Sequence, residues 1–355
     1  MYKLKLIISV LLLSITTAMS GKPKHVVLKV EPGNVESLLS TIAKANELNA
    51  DSASKRLFIF IPNGFYDLGE RTLTTISGHH ISLIGQSMEH TIIRNQPPVS
   101  EEGISKTAVF LNRGMGTYLQ NLTLQDDLDY YHSGPAGRAV CLQDKGSFTI
   151  CKNVRMLSYQ DTYYSHRENG QYYFEDCKIH GTIDFICGTG DGFFERCTIV
   201  VENRDTLGQG ECVIVAPRTS ETPYGYVFNN CTIETKQSAY HLARGWHTNP
   251  RNTWLYTTLV NPQKLLPTRF DSHGMRTVQN DFHEYYTMDL SGRNITPATN
   301  RVTFTLNNDS NTVETILAPQ QVKRYQIANV FPKWRPDRQT RKIARKAAKL
   351  SKNLW

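Results

Sequence analysis

The chain has 355 residues, of which 39% are hydrophobic and 20% are charged. This composition excludes a disordered chain and a collagen-like repeat, and the length excludes a small disulfide-stabilised domain. Of the formal net charge of +8, residues 1–20 contribute +2 and residues 335–355 contribute +7, so the remainder carries −1. Because the body of the protein is nearly neutral, the net charge does not indicate a nucleic-acid partner.

The N-terminal segment has the pattern of a secretion signal. Lys3 and Lys5 precede an apolar run at positions 6–15, and small residues follow at positions 18 and 20. A membrane-spanning helix needs about 20 apolar residues, roughly twice the length of this run. We therefore predict a signal peptide at residues 1–20 and a secreted protein without an integral membrane segment after cleavage. Its destination is a periplasm, a cell surface or the medium.

The segment 35–48 follows Asn34, a residue type that favours the N-cap position of a helix. Its apolar residues recur at helical spacing, which predicts an amphipathic helix. In a fold built from stacked repeats, such a helix closes the N-terminal end. The apolar face consists of Leu38, Leu39, Ile42, Ala43 and Ala45.

One six-residue phrase recurs in the middle of the chain. It occurs at Phe174–Ile179, Phe194–Ile199 and Phe228–Ile233, each time with cysteine at the fourth position. Two weaker copies carry Leu122 and Val154 at that position. A position that accepts Leu, Val and Cys is apolar and points inward, so we do not predict disulfide bonds for these cysteines.

The fourth position of the phrase recurs at intervals of 32, 23, 20 and 34 residues, and each copy alternates apolar and polar residues. Short strands separated by turns and by insertions of variable length are typical of stacked coils. We predict an all-β chain that folds as a right-handed parallel β-helix. An antiparallel β-sandwich is the alternative.

The C-terminal segment is strongly basic. Residues Arg341–Leu354 predict an amphipathic helix that covers the C-terminal end of the solenoid. Its basic side is interpreted as a solvated surface, with a polyanion-binding arm as the alternative. The predicted organisation is a signal peptide at 1–20, a β-helix domain at 21–334 and a basic helix or tail at 335–355.

Two aspartates occupy equivalent places in the repeat. Asp161 lies seven residues after Val154, and Asp184 lies seven residues after Cys177. Equivalent positions on neighbouring coils are about 4.8 Å apart, a separation at which two carboxyl groups do not both ionise readily. One protonated and one ionised carboxyl group suit a general acid and a nucleophile. Spacing alone equally allows a pair of turn-capping side chains.

The residues around these aspartates resemble a known family. The second aspartate lies within Gly181–Gly188, which reads GTIDFICG, and the first lies within Tyr159–His166, which reads YQDTYYSH. Together with Gly64–Tyr66 and Val330–Trp334, these motifs resemble the pectin methylesterases, which are carbohydrate esterases with a parallel β-helix fold. The resemblance covers nearly the whole mature chain.

The resemblance implies roles for five residues. Asp184 corresponds to the nucleophile, and Asp161 corresponds to the acid that later acts as a base. Gln160 corresponds to a hydrogen-bond donor to the oxyanion. Arg244 and Trp246 lie in the motif LARGW, which is similar to a family motif whose arginine orients the nucleophile and whose tryptophan lines the sugar site.

The sequence departs from the family pattern at Arg138, which stands where the family usually has an oxyanion-stabilising glutamine. An arginine can donate hydrogen bonds to an oxyanion. It can equally pair with Asp161 or Asp184 and depress the pKa of an acid that must stay protonated. Gly245 also replaces the proline that the family motif has at this position.

The resemblance implies hydrolysis of galacturonate methyl esters in pectin, with release of methanol and without a metal or an organic cofactor. The expected partner is the pectin or polygalacturonate chain, and the expected state is a monomer. The predicted catalytic residues are Asp161, Asp184, Gln160, Arg244 and Arg138, and the predicted substrate contacts are Trp246, Tyr164, His166 and Phe185.

Three other functions remain open on the sequence alone. The first is an esterase acting on a different pectic ester, such as an acetyl or a rhamnogalacturonan ester. The second is a pectin-binding protein without catalytic activity, for which Arg138 is the main argument. The third is a polysaccharide lyase or a polygalacturonase, since those activities also occur on β-helices.

Overall fold

The computed structural model describes residues 25–133, 137–218 and 221–355. Short parallel strands follow one another around successive coils, and each strand pairs with its equivalent in the next coil. The predicted parallel β-helix is therefore confirmed. The signal peptide predicted at 1–20 lies outside the described residues.

The described part of the chain contains 25 strands and four α-helices. The strands are β1 (Val27–Lys29), β2 (Leu57–Ile61), β3 (Gly64–Asp67), β4 (Thr74–Ile76), β5 (Ile81–Gly85), β6 (Thr91–Asn95), β7 (Phe110–Asn112), β8 (Tyr118–Asp126), β9 (Leu142–Asp144), β10 (Thr149–Leu157), β11 (Tyr163–Ser165), β12 (Gln171–Glu175), β13 (Lys178–Gly181), β14 (Ile183–Gly188), β15 (Asp191–Glu195), β16 (Thr198–Val201), β17 (Glu211–Pro217), β18 (Tyr226–Asn229), β19 (Thr232–Thr235), β20 (Ala239–Ala243), β21 (Arg251–Leu255), β22 (Thr258–Leu259), β23 (Asp281–Tyr285), β24 (Arg301–Leu306) and β25 (Asp309–Glu314). The helices are α1 (Val35–Leu48), α2 (Pro319–Val322), α3 (Ile327–Val330) and α4 (Pro336–Leu350).

Three rows of parallel strands run along the stack. The first row begins with β1 and continues through β2, β5, β12, β15, β18, β21 and β23, and the second row contains β3, β6, β13, β16, β19 and β22. The long strands β8 and β10 span both of these rows. The third row contains β4, β7, β9, β11, β14, β17 and β20.

Columns of similar side chains fill the interior of the stack. Phe174, Phe194 and Phe228 are in register on successive coils, and their rings stack at centroid distances of 4.5 and 4.4 Å. Trp254 continues this column at 3.8 Å from Phe228. The inward column predicted from the repeat is buried, and all seven cysteines are unpaired. This second column consists of Leu122, Val154, Cys177, Cys197 and Cys231.

A single left-handed residue turns the chain from the first row to the second in successive coils. The φ angles at this position lie between 51° and 56°. Asparagine and aspartate tolerate this conformation better than most other residues, which accounts for the recurrence of Asn in the repeated phrase. The residues concerned are Asn121, Asn153, Asp176, Arg196, Asn230, Tyr256 and Tyr286.

The two ends of the solenoid are covered by different elements. At the N-terminal end, α1 buries Leu38 and Ile42, and the Asn34 side chain caps the helix as predicted. At the C-terminal end, the antiparallel hairpin of β24 and β25 places Val302 and Phe304 in the core. The prediction that the basic helix covers this end is therefore wrong.

Residues 319–355, which we call the C-terminal strap, run back along the outer surface of the first row. Tyr325 packs against Tyr224 beside the late coils, and Trp355 packs against Phe60 on β2. Within the strap, α4 begins at Pro336, before the predicted start of the basic helix. No helix in the described residues is long and apolar enough to cross a membrane.

The strap follows this path because the outward side chains of the first row are apolar. An uncovered apolar surface of this size would be unfavourable in water. The apolar face of α4 joins these side chains in one buried cluster with Ile343 and Ala347. The first-row side chains in the cluster are Phe58, Phe60, Ile84, Tyr118, Ile150, Tyr173, Phe193, Val227 and Leu255.

The packing of α4 predicts that two alanine substitutions differ in their effect on stability. Ile343 is 6% exposed, and we expect Ile343→Ala to lower the free energy of unfolding by about 2–3 kcal/mol, because the lost methyl groups leave a cavity. Leu290 is 68% exposed, and we expect Leu290→Ala to change it by less than about 0.5 kcal/mol. Urea denaturation measures both values. Equal effects would contradict the docking of α4.

Candidate active site

Asp161 and Asp184 lie at the bend between the second and third rows in successive coils. Tyr163 pairs with Ile186 in the parallel ladder, and this register sets the two aspartates side by side at the strand spacing of about 4.8 Å. Both have left-handed backbones, with φ angles of 62° and 51°. Strained backbone of this kind is concentrated at functional sites. The structure thus brings the two predicted carboxyl groups together.

Strand β14 contains a bulge at the second aspartate. It pairs with β17 at Ile183 and again at Ile186, with two residues between them on β14 and one on β17. A bulge changes the direction in which neighbouring side chains point. Asp184 lines the cleft, whereas Phe185 is fully buried in the core. Phe185 is therefore not a substrate contact, and its predicted role is corrected.

Arg244, which directly follows β20, holds Asp184 from two coils further along the stack. Its Nε donates to Asp184 Oδ1 at 2.8 Å, and its Nη2 donates to Oδ2 at 2.5 Å. Two parallel hydrogen bonds fix the plane of a carboxylate. The Asp184 side chain is only 9% exposed, so water and salt screen this pair weakly. The pair supplies an oriented carboxylate at the wall of the cleft.

Asp161 has a different environment from Asp184. It is 4% exposed, and its Oδ1 accepts a hydrogen bond from Cys187 Sγ at 3.5 Å. Burial and the neighbouring Asp184 charge raise the pKa of Asp161 well above its usual range, and the cations Arg138 and Arg244 oppose this effect. Burial and the two acidic groups also raise the pKa of Cys187, so its thiol stays neutral. This environment favours the protonated form of Asp161, next to the carboxyl group that Arg244 holds.

Arg138 pairs with Glu102 and with neither of the two aspartates. Its Nε donates to Glu102 Oε1 at 2.5 Å, its Nη2 donates to Oε2 at 3.3 Å, and its backbone N–H donates to Oε1 at 3.1 Å. The hydrogen bond that Arg138 donates to Glu102 raises the pKa of Arg138 above its usual value. Among the described residues, Nη1 of Arg138 has no hydrogen-bond acceptor. The ion-pair partner of Arg138 is thus Glu102, and not Asp161 or Asp184 as the sequence allowed.

Gln160 lies beside Arg138 at the same bend. The two residues form a parallel β-bridge, which places them at equivalent positions on consecutive coils. The side-chain amide of Gln160 has no hydrogen-bond partner in the part of the chain that the structure describes, and both side chains line the cleft. Gln160 Nε2 and Arg138 Nη1 are therefore two available donors next to the paired aspartates.

The cleft consists of two adjoining cavities that share Arg138, Gln160 and Arg244. Their volumes are about 210 and 320 Å³. The larger cavity is lined mostly by polar and charged groups, and the smaller one combines the aspartates with an apolar wall. Such a cleft fits a ligand that has a polar ring and an apolar substituent. The apolar wall consists of Ile104, Ala216, Trp246 and Met275.

The predicted aromatic contacts occupy three different positions. Trp246 lines the smaller cavity directly. Tyr164 is 3% exposed and lies against Trp246, with the centroids of the two rings 6.2 Å apart. His166 is exposed and stacks on Tyr164 at 5.0 Å, outside the two cavities. Trp246 is therefore placed to contact a ligand, and Tyr164 supports the tryptophan.

Gly245 separates Arg244 from Trp246, and its backbone passes close to Asn280. A Cβ atom at this position would lie 1.9 Å from Asn280 Oδ1. Any side chain, including the ring of a proline, would force Asn280 or the backbone to move. This contact accounts for glycine at a position where the resembling family has proline.

Sequence reasoning missed Glu102, Ile104, Cys187 and Met275. Glu102 and Ile104 lie in the connection between β6 and β7, which contains no copy of the repeated phrase, so no signal pointed to them. Met275 likewise lies in an irregular connection. Cys187 lies in the same motif as Asp184, but alternation counted from Asp184 would place it inward, and the bulge in β14 brings it to the cleft side.

Comparison with known proteins identifies the family. Residues 25–287 match the family model described as Pectinesterase. This chain belongs to the Pectinesterase family. The matched range contains every predicted catalytic and substrate-contact residue.

Two curated relatives of this pectinesterase-family chain come from Arabidopsis thaliana. "Probable pectinesterase/pectinesterase inhibitor 42" is 28% identical over 232 residues, covering 62% of this chain and 41% of that protein. "Probable pectinesterase 30" is 29% identical over 213 residues, covering 59% of this chain and 40% of that protein. The chain therefore spans about two fifths of the length of these relatives.

Solved structures of similar proteins share the β-helix. Pectin methylesterase PemA from Erwinia chrysanthemi is 20% identical with a TM-score of 0.65, and the match covers 88% of this chain and 98% of that one. A pectin methylesterase in complex with hexasaccharide VII is 22% identical with a TM-score of 0.63, and the match covers 83% and 93%. At these identities the likeness establishes the fold.

Proposed function

We propose that this chain hydrolyses the methyl esters of galacturonate in pectin, releasing methanol and leaving pectate. The observation that carries the proposal is the asymmetric pair of aspartates in one cleft. Arg244 binds only Asp184, whereas burial and the Asp184 charge keep Asp161 protonated. One group is thus ready to attack an ester, and the other is ready to supply a proton.

In the first half of the reaction, the Asp184 carboxylate attacks the ester carbonyl carbon and the carbonyl oxygen becomes an oxyanion. Gln160 Nε2 and Arg138 Nη1 donate hydrogen bonds to that oxygen. When the intermediate collapses, the bond to the methoxy group breaks, and the proton of Asp161 passes to the departing oxygen. Methanol leaves, and the galacturonyl group is joined to Asp184 as an anhydride.

In the second half, the ionised Asp161 removes a proton from water, and the water oxygen attacks the galacturonyl carbon. Collapse breaks the bond to Asp184 and restores its carboxylate, while Asp161 retains the proton. One ester and one water therefore give one carboxylic acid and one methanol. Arg244 acts through Asp184 as a positioning residue.

Arg138 fits this mechanism because Glu102 compensates its charge. An uncompensated cation beside Asp161 would favour the ionised form of that acid. Glu102 engages Nε and Nη2 of the guanidinium and leaves Nη1 for the oxyanion. We therefore assign Glu102 as a second positioning residue, which keeps Arg138 a donor and limits how far its charge lowers the proton affinity of Asp161.

The proposed partner is the polysaccharide chain, with a sugar ring against Trp246 and the ester methyl group against the apolar wall. We further propose that the protein acts outside the cytoplasm, which the predicted signal peptide at 1–20 supports. The proposed organisation remains a β-helix domain at 21–334 followed by a basic segment at 335–355.

The two aspartates predict the outcome of substitution. We expect Asp184→Asn and Asp161→Asn each to lower kcat for methanol release from highly methylated pectin at least about 1,000-fold, because an amide is neither a nucleophile nor a proton donor of sufficient strength. Glu36→Gln, on the remote helix α1, serves as the control and should retain wild-type activity.

Viscosity and new reducing or unsaturated chain ends are measured in the same samples. Acetate release is measured with acetylated pectin as the substrate. Wild-type protein that releases no methanol would contradict the proposal. Acetate release instead of methanol would favour the other pectic ester, and new chain ends would favour a lyase or polygalacturonase.

The pairing of Arg138 with Glu102 predicts a pH effect. Activity is lost as pH rises through the pKa of Asp161, since the acid must be protonated. Glu102→Gln leaves the Arg138 charge uncompensated, so we expect the alkaline limb of the kcat profile to move down by about one pH unit.

The double variant Glu102→Gln/Arg138→Gln removes the cation as well. Its alkaline limb should return to the wild-type pH or to a higher pH, although kcat falls. The charge groups that face Asp161 are Asp184, Cys187, Arg244, Arg138 and Tyr164. An unshifted limb in Glu102→Gln would show that charge compensation is not the role of Glu102.

A further inference from the structure

Five cations form one line along the C-terminal strap. They follow one another at intervals of four, three, four and three residues, which keeps them on one side of a helix. The first four lie in α4, and the last lies in the short 3₁₀ turn that follows it. At 1.5 Å per residue they extend over about 20 Å. We call this line the basic ridge: Arg338, Lys342, Arg345, Lys349 and Lys352.

The basic ridge points directly away from the body of the protein. The buried residues of α4 are Pro336, Thr340, Ile343 and Ala347. The ridge is offset from this buried line by two residues, which corresponds to about 200° around the helix. All five ridge side chains are exposed. The apolar contacts of α4 therefore hold the ridge as a fixed, outward-facing row.

The ridge charges have no acidic partners within the described residues. Arg335 and Arg341 pair with Asp337, the acidic residue of α4, but no ridge residue forms an ion pair. Like charges three and four residues apart destabilise a helix. The remainder of the chain provides no excess of negative charge, since residues 21–334 sum to −1. An external polyanion would relieve this repulsion.

The ridge and the catalytic cleft lie on different surfaces of the β-helix. The strap covers the outer side of the first row, whereas the aspartates lie at the bend between the second and third rows. A ligand on the ridge therefore does not occupy the cleft. The ridge is available to a second segment of polymer while the cleft holds a first.

We propose that the basic ridge binds de-esterified pectate as a second polysaccharide site. This inference rests on the proposed function, because hydrolysis converts neutral methyl esters into a linear row of carboxylates. A linear polyanion complements a linear row of cations, and the product segment then tethers the enzyme to the polymer. Binding through several exposed charges weakens as salt concentration rises.

The test measures binding to polygalacturonate at low and at physiological salt, in the full chain. We expect the ridge variant, with all five cations replaced by Gln, to bind at least 10-fold more weakly than wild type and to show a flatter salt dependence. The matched control removes the same charge from five scattered exposed cations and should retain wild-type binding within about 2-fold. The control positions are Lys29, Lys55, Arg113, Arg301 and Lys323.

Polygalacturonate contains no methyl ester, so this binding is measured independently of catalysis. Equal loss in the ridge and control variants would overturn the proposal in favour of a general net-charge effect. Tighter binding to phosphatidylglycerol vesicles than to polygalacturonate would overturn the choice of partner. Methanol release from a short methylated oligosaccharide should be unchanged in the ridge variant, which shows that the fold and the cleft are intact.

Discussion

Parallel stacking fixes the distance between equivalent residues on successive coils, and the candidate site depends on this distance. Because the backbone hydrogen bonds set the strand spacing at about 4.8 Å, Asp161 and Asp184 cannot move apart without unpairing β11 from β14. Their closeness alone would leave open which carboxyl group holds the proton. The Arg244 fork decides this, since it binds Asp184 and leaves Asp161 to burial.

The same stacking explains how an arginine is accommodated at the proposed oxyanion position. Arg138 and Gln160 occupy one bend on consecutive coils, so their donors point into one cleft. A free cation there would compete with the protonation of Asp161. The connection between β6 and β7 brings Glu102 to the guanidinium, and the pair as a whole carries no net charge. Arg138 and Glu102 therefore act at this position as a pair.

Much of the fold could be predicted because its signal is periodic. The repeated phrase identified the inward column of Leu122, Val154 and the three cysteines, and seven-residue offsets from it identified both aspartates. The repeat failed as a guide where its periodicity was broken, and helical periodicity did not show on which surface a helix packs. The bulge in β14 turns Cys187 to the cleft side, where alternation counted from Asp184 would not place it. The apolar face of α4 did not reveal that it packs on the first row rather than on the C-terminal end.

The irregular connections explain the rest of what was missed. Glu102 lies 36 residues before Arg138 in a segment without a repeat, so only the folded chain brings the two together. The basic residues of the strap were visible in the sequence, but their arrangement as one outward line required the orientation of α4. Side chains supplied by loops and straps therefore account for most of the difference between sequence and structure.

The most direct test of the account is ¹³C NMR titration of the aspartate carboxyl groups, with Asp161→Asn used to assign the resonance of Asp161. We expect this carboxyl group to stay protonated far above the usual aspartate pKa of about 4, and its pKa to fall in Asp184→Asn, where burial remains but the neighbouring charge is gone. An Asp161 resonance that titrates at the usual aspartate pKa in the wild-type protein would contradict the account.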